Sequence, residues 1–427
     1  MINSLFTGNG LADPFISYPG TRAKSLGGAY SAAPYDASAI WYNPAGIVSG
    51  KSGFVFEYSQ GISIDTDTST QDIGESIFDQ SSLQSGMKTG LLGNEAHKGF
   101  VGYLNVNEKK TIGWAIGLYM PYTIEWSFSP YPLEEGKGYG EIVEDMYVLG
   151  LALSSSPFEH ISSPFKHVRL GLCIEGVYEK YDDSNIWYFD KSTEYSNMGI
   201  TSYNARRIKE LDDSFEPSGT FGFSIPYTLK RSGDQVRIGG VYRLKSNNKP
   251  DIPETIDAEI LTPEEHTRQK KATEELFFGK PSSWEIGVMY SHFIATPNEN
   301  NDNFSSKLSL SAQYSVTDWG SANDRFENMY QKISFGAELS LIRLPLFSSI
   351  RLFEKVFVRG GYYSSTATET SEGWPDVQGI TFGGGIQPYP TLSLDATYEH
   401  RFMKFDQSDD KDISLLSISL IWYPWAI

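Results

Sequence analysis

No stretch of this 427-residue chain approaches the ~20 consecutive apolar residues that a membrane-spanning helix needs. A helical membrane protein is excluded, but a sheet that crosses a bilayer with strands is not, because half of each strand then faces water. Cysteine is almost absent. Cys173 stands alone, so no disulfide can form within the chain, and its place in mid-strand on a polar face reads as an inert thiol. Basic residues are scarce: 35 Lys and Arg against 53 Asp and Glu give a formal net charge of −18, which argues against nucleic acid as a partner. Motifs for chemistry are missing as well. The six histidines (His97, His160, His167, His266, His292 and His400) form no metal-spaced pair, and neither a Gly-x-Ser-x-Gly elbow nor a phosphate loop occurs. Asp65-Thr-Asp67 opens like a calcium loop, but Thr70 stands where glycine is required. The chain reads as a non-enzyme with no cofactor and no metal site.

What is abundant is alternation. In 307–316, Leu308, Leu310, Ala312, Tyr314 and Val316 fall on one face, and Lys307, Ser309, Ser311, Gln313 and Ser315 on the other. Period two sends alternate side chains to opposite sides of a sheet. The same code runs through Ile333 to Leu341, Leu392 to Phe402 and Val168 to Tyr178. Alternation alone fits a soluble sandwich with an apolar core; length and loop pattern favour a barrel with an apolar exterior. Fourteen strands are expected near 53–63, 99–106, 111–127, 140–154, 167–190, 214–227, 235–246, 283–293, 307–318, 331–343, 355–364, 376–387, 391–403 and 412–423. Most reach the ~9–11 residues that cross a bilayer. Short links follow the second, sixth and twelfth strands and long links, near 64–98, 191–213 and 247–282, follow the first, fifth and seventh. That asymmetry and the even count belong to outer-membrane barrels. The links near 155–166, 294–306 and 344–354 are longer than the short side requires.

Aromatics make up 14% of the chain, and Trp126, Trp187, Tyr188, Trp284, Trp422, Tyr423 and Trp425 sit at strand ends, as interface girdles would use them. The acidic pairs, such as Asp212-Asp213 and Asp409-Asp410, fall in expected loops and read as solvated surface. No basic stretch followed by an apolar one opens the chain. For an exported barrel this implies that a signal peptide has been removed and that Met1 belongs to an engineered start.

The first ~50 residues, with Gly8, Gly10, Pro14, Pro19, Gly20, Gly27, Gly28 and Pro34, do not read as a strand. Short helices are possible at 29–33 and 37–42. Arg22, Gly27-Gly28-Ala29-Tyr30, Asp36-Ala37-Ser38-Ala39 and Asn43-Pro44-Ala45-Gly46 resemble the N-terminal hatch of the FadL family of outer-membrane hydrophobic-compound transporters. The resemblance implies an all-β, 14-stranded antiparallel transmembrane barrel (51–427) with a hatch or plug (1–50), in the outer membrane of a diderm bacterium and in contact with lipopolysaccharide. It implies capture of hydrophobic small molecules, long-chain fatty acids among them, by extracellular loops, transfer into an apolar lumen pocket, and sideways release through a gap in the wall beside the hatch. Trp41, Tyr42, Asn43, Pro44 and Ala45 would line the ligand path. Pro121, inside the third strand, would interrupt its ladder and form a lateral gate facing Asn43-Pro44-Ala45. The chain departs from the family in ending Trp422-Tyr-Pro-Trp425-Ala-Ile427 rather than on an aromatic residue. A second reading remains open, a barrel that serves as scaffold or docking partner for cell-envelope or secreted proteins. The apolar residues between 64 and 98 suit either a capture groove or a protein interface.

Overall fold

The computed structural model describes residues 19–32, 34–62, 97–133, 136–158, 167–189, 203–210, 214–229, 233–246, 279–294, 306–321, 329–342, 353–367, 376–404 and 411–424. Fifteen strands form one antiparallel sheet: β1 (Gly53–Ile62), β2 (His97–Val106), β3 (Ile112–Leu133), β4 (Gly136–Ser155), β5 (Arg169–Phe189), β6 (Tyr203–Glu210), β7 (Ser214–Thr228), β8 (Gln235–Arg243), β9 (Ser282–Phe293), β10 (Lys307–Asp318), β11 (Met329–Ile342), β12 (Lys355–Ala367), β13 (Asp376–Tyr389), β14 (Leu392–Lys404) and β15 (Lys411–Trp422). Fourteen of them close into a barrel, β1 pairing with β15 and β5 pairing directly with β7.

The fourteen strands of the barrel fall where the alternating pattern puts them. The fifteenth, β6, lies within the 191–213 link and pairs only with the far end of β5, from Asp182↔Glu210 to Phe189↔Tyr203. Its sequence, YNARRIKE, carries no clean alternation that could have announced it. β3, β4 and β5 run 22, 20 and 21 residues, about twice the ~9–11 that cross a bilayer, so together with β6 they stand well beyond the membrane on the side of the long links. Most of the 64–98 and 247–282 links, including the apolar residues suggested as a capture groove, lies outside the described residues, as does Trp425.

Burial decides which way the two faces point. Leu310 is 49% exposed, whereas its neighbour Ser309 is 4% exposed. Leu149, Leu151, Leu153, Ile174, Val358 and Phe382 face outward in the same way, and Glu175, Glu338, Arg243 and Arg359 face inward and are buried. Apolar surface over a whole barrel far exceeds the patches that soluble proteins tolerate. Lipid is the solvent that accepts it, while the backbone polar groups are satisfied by the closed ladder. Aromatic rows mark both ends of the outer surface. Trp422, Phe54, Tyr103 and Trp114 form a chain of ring contacts across β15, β1, β2 and β3 at the short-turn end, with successive centroids 5.7, 4.6 and 5.3 Å apart. At the other end Tyr242 pairs with Trp284, whose ring is 5.4 Å from that of Tyr314. Tyr423 is instead buried.

Residues 19–50 lie inside the barrel, and all the described ones except Tyr35 and Ser49 are buried. They form a short helix (Thr21–Ser25), a second (Ala39–Tyr42) and a 3-10 helix (Pro44–Ser49). Of the stretch 29–33, where a short helix was possible, the described residues 29–32 are not helical. Gly27 and Gly28, with φ of 64° and 82°, turn the chain after Leu26 in a conformation that side chains disfavour.

Candidate functional site

The inner segment is fastened at one side by charge. Arg22 donates from Nε and Nη2 to Glu338 on β11 at 2.6 and 2.7 Å. Glu338 also accepts from Arg359 Nε at 2.7 Å, and Arg359 continues to Asp395 on β14. The Arg22 guanidinium stacks 3.8 Å over the Tyr35 ring. Lys24 reaches Glu57 of β1 at 2.7 Å and Ser59 at 2.6 Å, and Glu57 also accepts from the Gly20 N–H and the Thr21 hydroxyl. Gln313 of β10 accepts the N–H groups of Tyr30 and Ser31. These residues are buried, so each ion is held only because its partners replace water. Burial pushes the Asp36 carboxyl above the usual range, opposed by hydrogen bonds from the Ser38 hydroxyl and N–H.

Elsewhere the segment rests on glycine. Gly171↔Gly222, Gly239↔Gly287 and Gly336↔Gly361 are direct cross-strand pairs, and Gly102, Gly117 and Gly150 align across β2, β3 and β4. All face inward. A Cβ at Gly336 would come 2.8 Å from Leu26 Cβ, one at Gly150 2.7 Å from Ile40 Cγ2, and one at Gly171 2.8 Å from Ala45 Cα. Together they form a belt without side chains, where the inner chain approaches the wall more closely than any Cβ permits. Asn43-Pro44-Ala45 occupies one stretch of it. Asn43 Nδ2 donates to the carbonyls of Ser31 and Phe223, both at 2.8 Å, its Oδ1 accepts from Ala45 N–H at 3.0 Å, and Ala45 O accepts from Ser154.

The remaining wall is greasy. Val55, Phe100, Leu104, Ala115, Tyr119, Met146, Val148, Ala152, Cys173 and Val177, the apolar inward residues of β1 to β5, form a buried cluster with Ile40, Trp41 and Ile47 of the inner segment, alongside the buried polar residues Glu57, Ser59, Ser154, Glu175 and Glu179 of the same strands. Trp41 meets Tyr119 edge to face at 5.3 Å. Behind it, Arg243 donates to Trp41 O at 2.8 Å and to Glu285 at 2.7 Å, and Lys280 is paired with Glu175.

This apolar wall leads to a break in the sheet. The β2–β3 ladder runs from Val106↔Gly113 to Phe100↔Tyr119 and stops, although β2 continues to His97 paired with β1. On its other edge β3 shifts register against β4 between Tyr119 and Tyr122, so that Met120 and Pro121 together oppose Tyr147. That is a bulge, with the residue that has no N–H at its centre. Val148 and Val177 lie in register with Tyr119 and so at the foot of the break.

Of the residues singled out in the sequence, Trp41 is brought to within two positions of Pro121 through Tyr119, while Asn43, Pro44 and Ala45 sit against β4, β5, β7 and β8. The amide of Asn43 does close backbone groups, but those of Ser31 and Phe223 rather than of β3. Tyr42 packs 5.3 Å from Tyr30 inside the segment. Missed were the Arg22 and Lys24 clamps, the glycine belt and, although an apolar lumen pocket was expected, the residues that form the apolar inner wall. The last had a visible signal: in 112–121 and 146–153 both faces are apolar, so the alternation lapses.

An inside-out barrel of this form, polar within and apolar without, is an outer-membrane protein. No family model and no curated protein sequence matches the chain. Solved structures do. A Pseudomonas aeruginosa FadL homologue aligns with TM-score 0.53 at 14% identity over 96% of this chain and 99% of that one. The Pseudomonas putida toluene transporter TodX gives 0.54 at 10% over 96% and 99%, and the CymD monoaromatic hydrocarbon channel 0.51 at 12% over 94% and 97%. The fold is that of the FadL-type outer-membrane barrels, end to end.

Proposed function

We propose that the protein carries hydrophobic small molecules, on the scale of monoaromatic hydrocarbons to long-chain fatty acids, across the outer membrane. Residues 1–50 act as a hatch, the loops beyond β3 to β6 capture the solute, and release is sideways between β2 and β3 beside Pro121. The observation that carries this reading is the apolar inner wall of β1 to β5 ending at the break in the ladder. A solute with roughly 200 Å² of apolar surface gains about 5 kcal/mol by staying out of water. An aqueous exit would forfeit that gain, whereas a gap in the wall opens onto lipid and keeps it.

Uptake of labelled toluene, oleate and maltose by cells with and without the protein tests the proposal. The first two should enter faster with it and maltose should not. Val148→Glu, which places a charge on the apolar wall, should slow the hydrophobes. No uptake by a folded wild-type barrel would leave docking of a cell-envelope protein as the better reading.

A further inference from the structure

Two sets of cations stand out among the described residues inside the barrel. Those around the inner segment are matched: Arg22, Lys24, Arg243, Lys280, Arg359 and Arg401 each bridge a carboxylate. A second set, at the short-turn end, is not. Arg237 stands near the start of β8, Lys307 starts β10 and Lys355 starts β12. Period two puts all three on the inner face, Arg237 with Arg243, Lys307 with Ser309 and Gln313, and Lys355 with Arg359. Among the described residues none of the three has an ion-pair partner. Arg237 makes a single long contact, 3.4 Å from Nη2 to Gln235 Oε1, and its Nε is shielded from solvent with no acceptor.

Lys307 on β10 stands between the other two, two strands from Arg237 on β8 and two from Lys355 on β12. Lys307 is within electrostatic reach of both Arg237 and Lys355, and Lys355 of Lys51, where the inner segment leaves the lumen. Glu338 also acts on Lys307 and Lys355, but Arg22 and Arg359 already occupy it, and Glu354 acts on Lys355 alone. In a chain of net charge −18 this is a local inversion of sign at one mouth of the lumen. Partly buried like charges of this kind require a counter-ion. A dianion matches several cations better than a monoanion, and a guanidinium with a free edge favours the oxygens of phosphate.

We infer that Arg237, Lys307 and Lys355 form an anion site at the periplasmic mouth of the barrel that takes a phosphate group, free or as the headgroup of an amphiphile. The site lies on the opposite wall from the apolar path, on β8, β10 and β12, and does not depend on the transport reading.

Calorimetric titration of the full-length protein in non-ionic detergent at low salt tests it, with inorganic phosphate, dodecyl phosphate and dodecanol as probes. Saturable one-to-one binding of phosphate is expected, weakened at least about tenfold in Arg237→Gln/Lys307→Gln. Equal affinity for the two phosphates identifies the free anion as the source, and tighter binding of dodecyl phosphate identifies the amphiphile. Dodecanol binding as tightly as dodecyl phosphate, no saturable binding of either phosphate, or affinities unchanged by the substitutions overturns the inference. Should the double variant lose its folded gel mobility, Lys307→Gln alone must still weaken binding. Uptake of neutral toluene by the same variants reads the transport proposal separately and is expected to be unchanged.

Discussion

Replacing Glu338 with glutamine removes one charge from the centre of the clamp while keeping its volume. In the native protein this carboxylate accepts two bonds from Arg22 and one from Arg359, all between 2.6 and 2.7 Å, and its side chain is 2% exposed. Arg359 keeps Asp395, so the uncompensated ion is Arg22. Stripping one partner from a buried pair costs about 3–5 kcal/mol. Stacking on Tyr35 and one remaining acceptor on glutamine offset part of that, leaving about 2–3 kcal/mol. The barrel ladder is untouched, so the loss falls on docking of residues 19–50 and shifts the docked-to-undocked ratio by roughly 30- to 150-fold. Hydrogen exchange should show faster exchange within 19–50 in Glu338→Gln than in wild type, with the β10–β11 ladder still protected and heat-modifiable gel mobility unchanged. Planar-bilayer recordings should show more frequent openings. Equal exchange and equal conductance in the two proteins would refute the claim that this ion cluster holds the segment in place.

Three further expectations follow from the same geometry. Gly222→Val should displace Asn43-Pro44-Ala45, because a Cβ there already meets Pro44 Cδ at 3.0 Å and Asn43 Oδ1 closer still; overpacking of about 1–3 kcal/mol should appear as protease sensitivity within 19–50, and an unchanged digest counts against the glycine seat. Leu310→Arg on the outer face should cost about 2–4 kcal/mol in a urea titration if it lies near the midplane, whereas Ser311→Arg on the inner face should cost much less; equal costs contradict the assigned faces. Pro121→Val should supply the missing N–H, narrow the break and slow uptake of a hydrophobic solute by a barrel that still folds, and undiminished uptake leaves Pro121 as an ordinary bulge residue.

The barrel was legible because its two signals are local. Period two assigns faces within a strand, and loop length assigns ends, so Leu310 outward and Ser309 inward could be read without neighbours. Contents of the lumen were less accessible. Polarity alone suggests that Ser309, Ser311 and Gln313 tolerate charge alike, yet Gln313 receives the N–H groups of Tyr30 and Ser31 and donates to Glu285, so an added charge there would strand three groups. Arg22 and Glu338 are separated by 316 positions, and nothing in either segment marks the other as its partner. The glycines that face one another come from strands whose spacing carries no record of their register. Pro121 could be suspected from its missing N–H alone, but only the ladder shows that pairing with β2 ends at Tyr119. The expected meeting of Pro121 with Asn43-Pro44-Ala45 did not appear, because the triplet is drawn to the glycines of β5, β7 and β8 while Trp41 takes the place beside Tyr119.

The central claim is that a hydrophobic solute leaves the lumen between β2 and β3. If the Phe100↔Tyr119 register continued, Lys98 would face Pro121. Cysteines at these two positions, in a Cys173→Ala background, can be joined across the gap by a bifunctional maleimide with a reducible disulfide spacer. The measurement is uptake of labelled toluene or oleate by cells carrying this variant, before and after reduction, with the extent of cross-linking read on the same samples. Uptake should fall as the bridge forms and recover on reduction. Full uptake through a completely cross-linked, folded barrel would contradict the account.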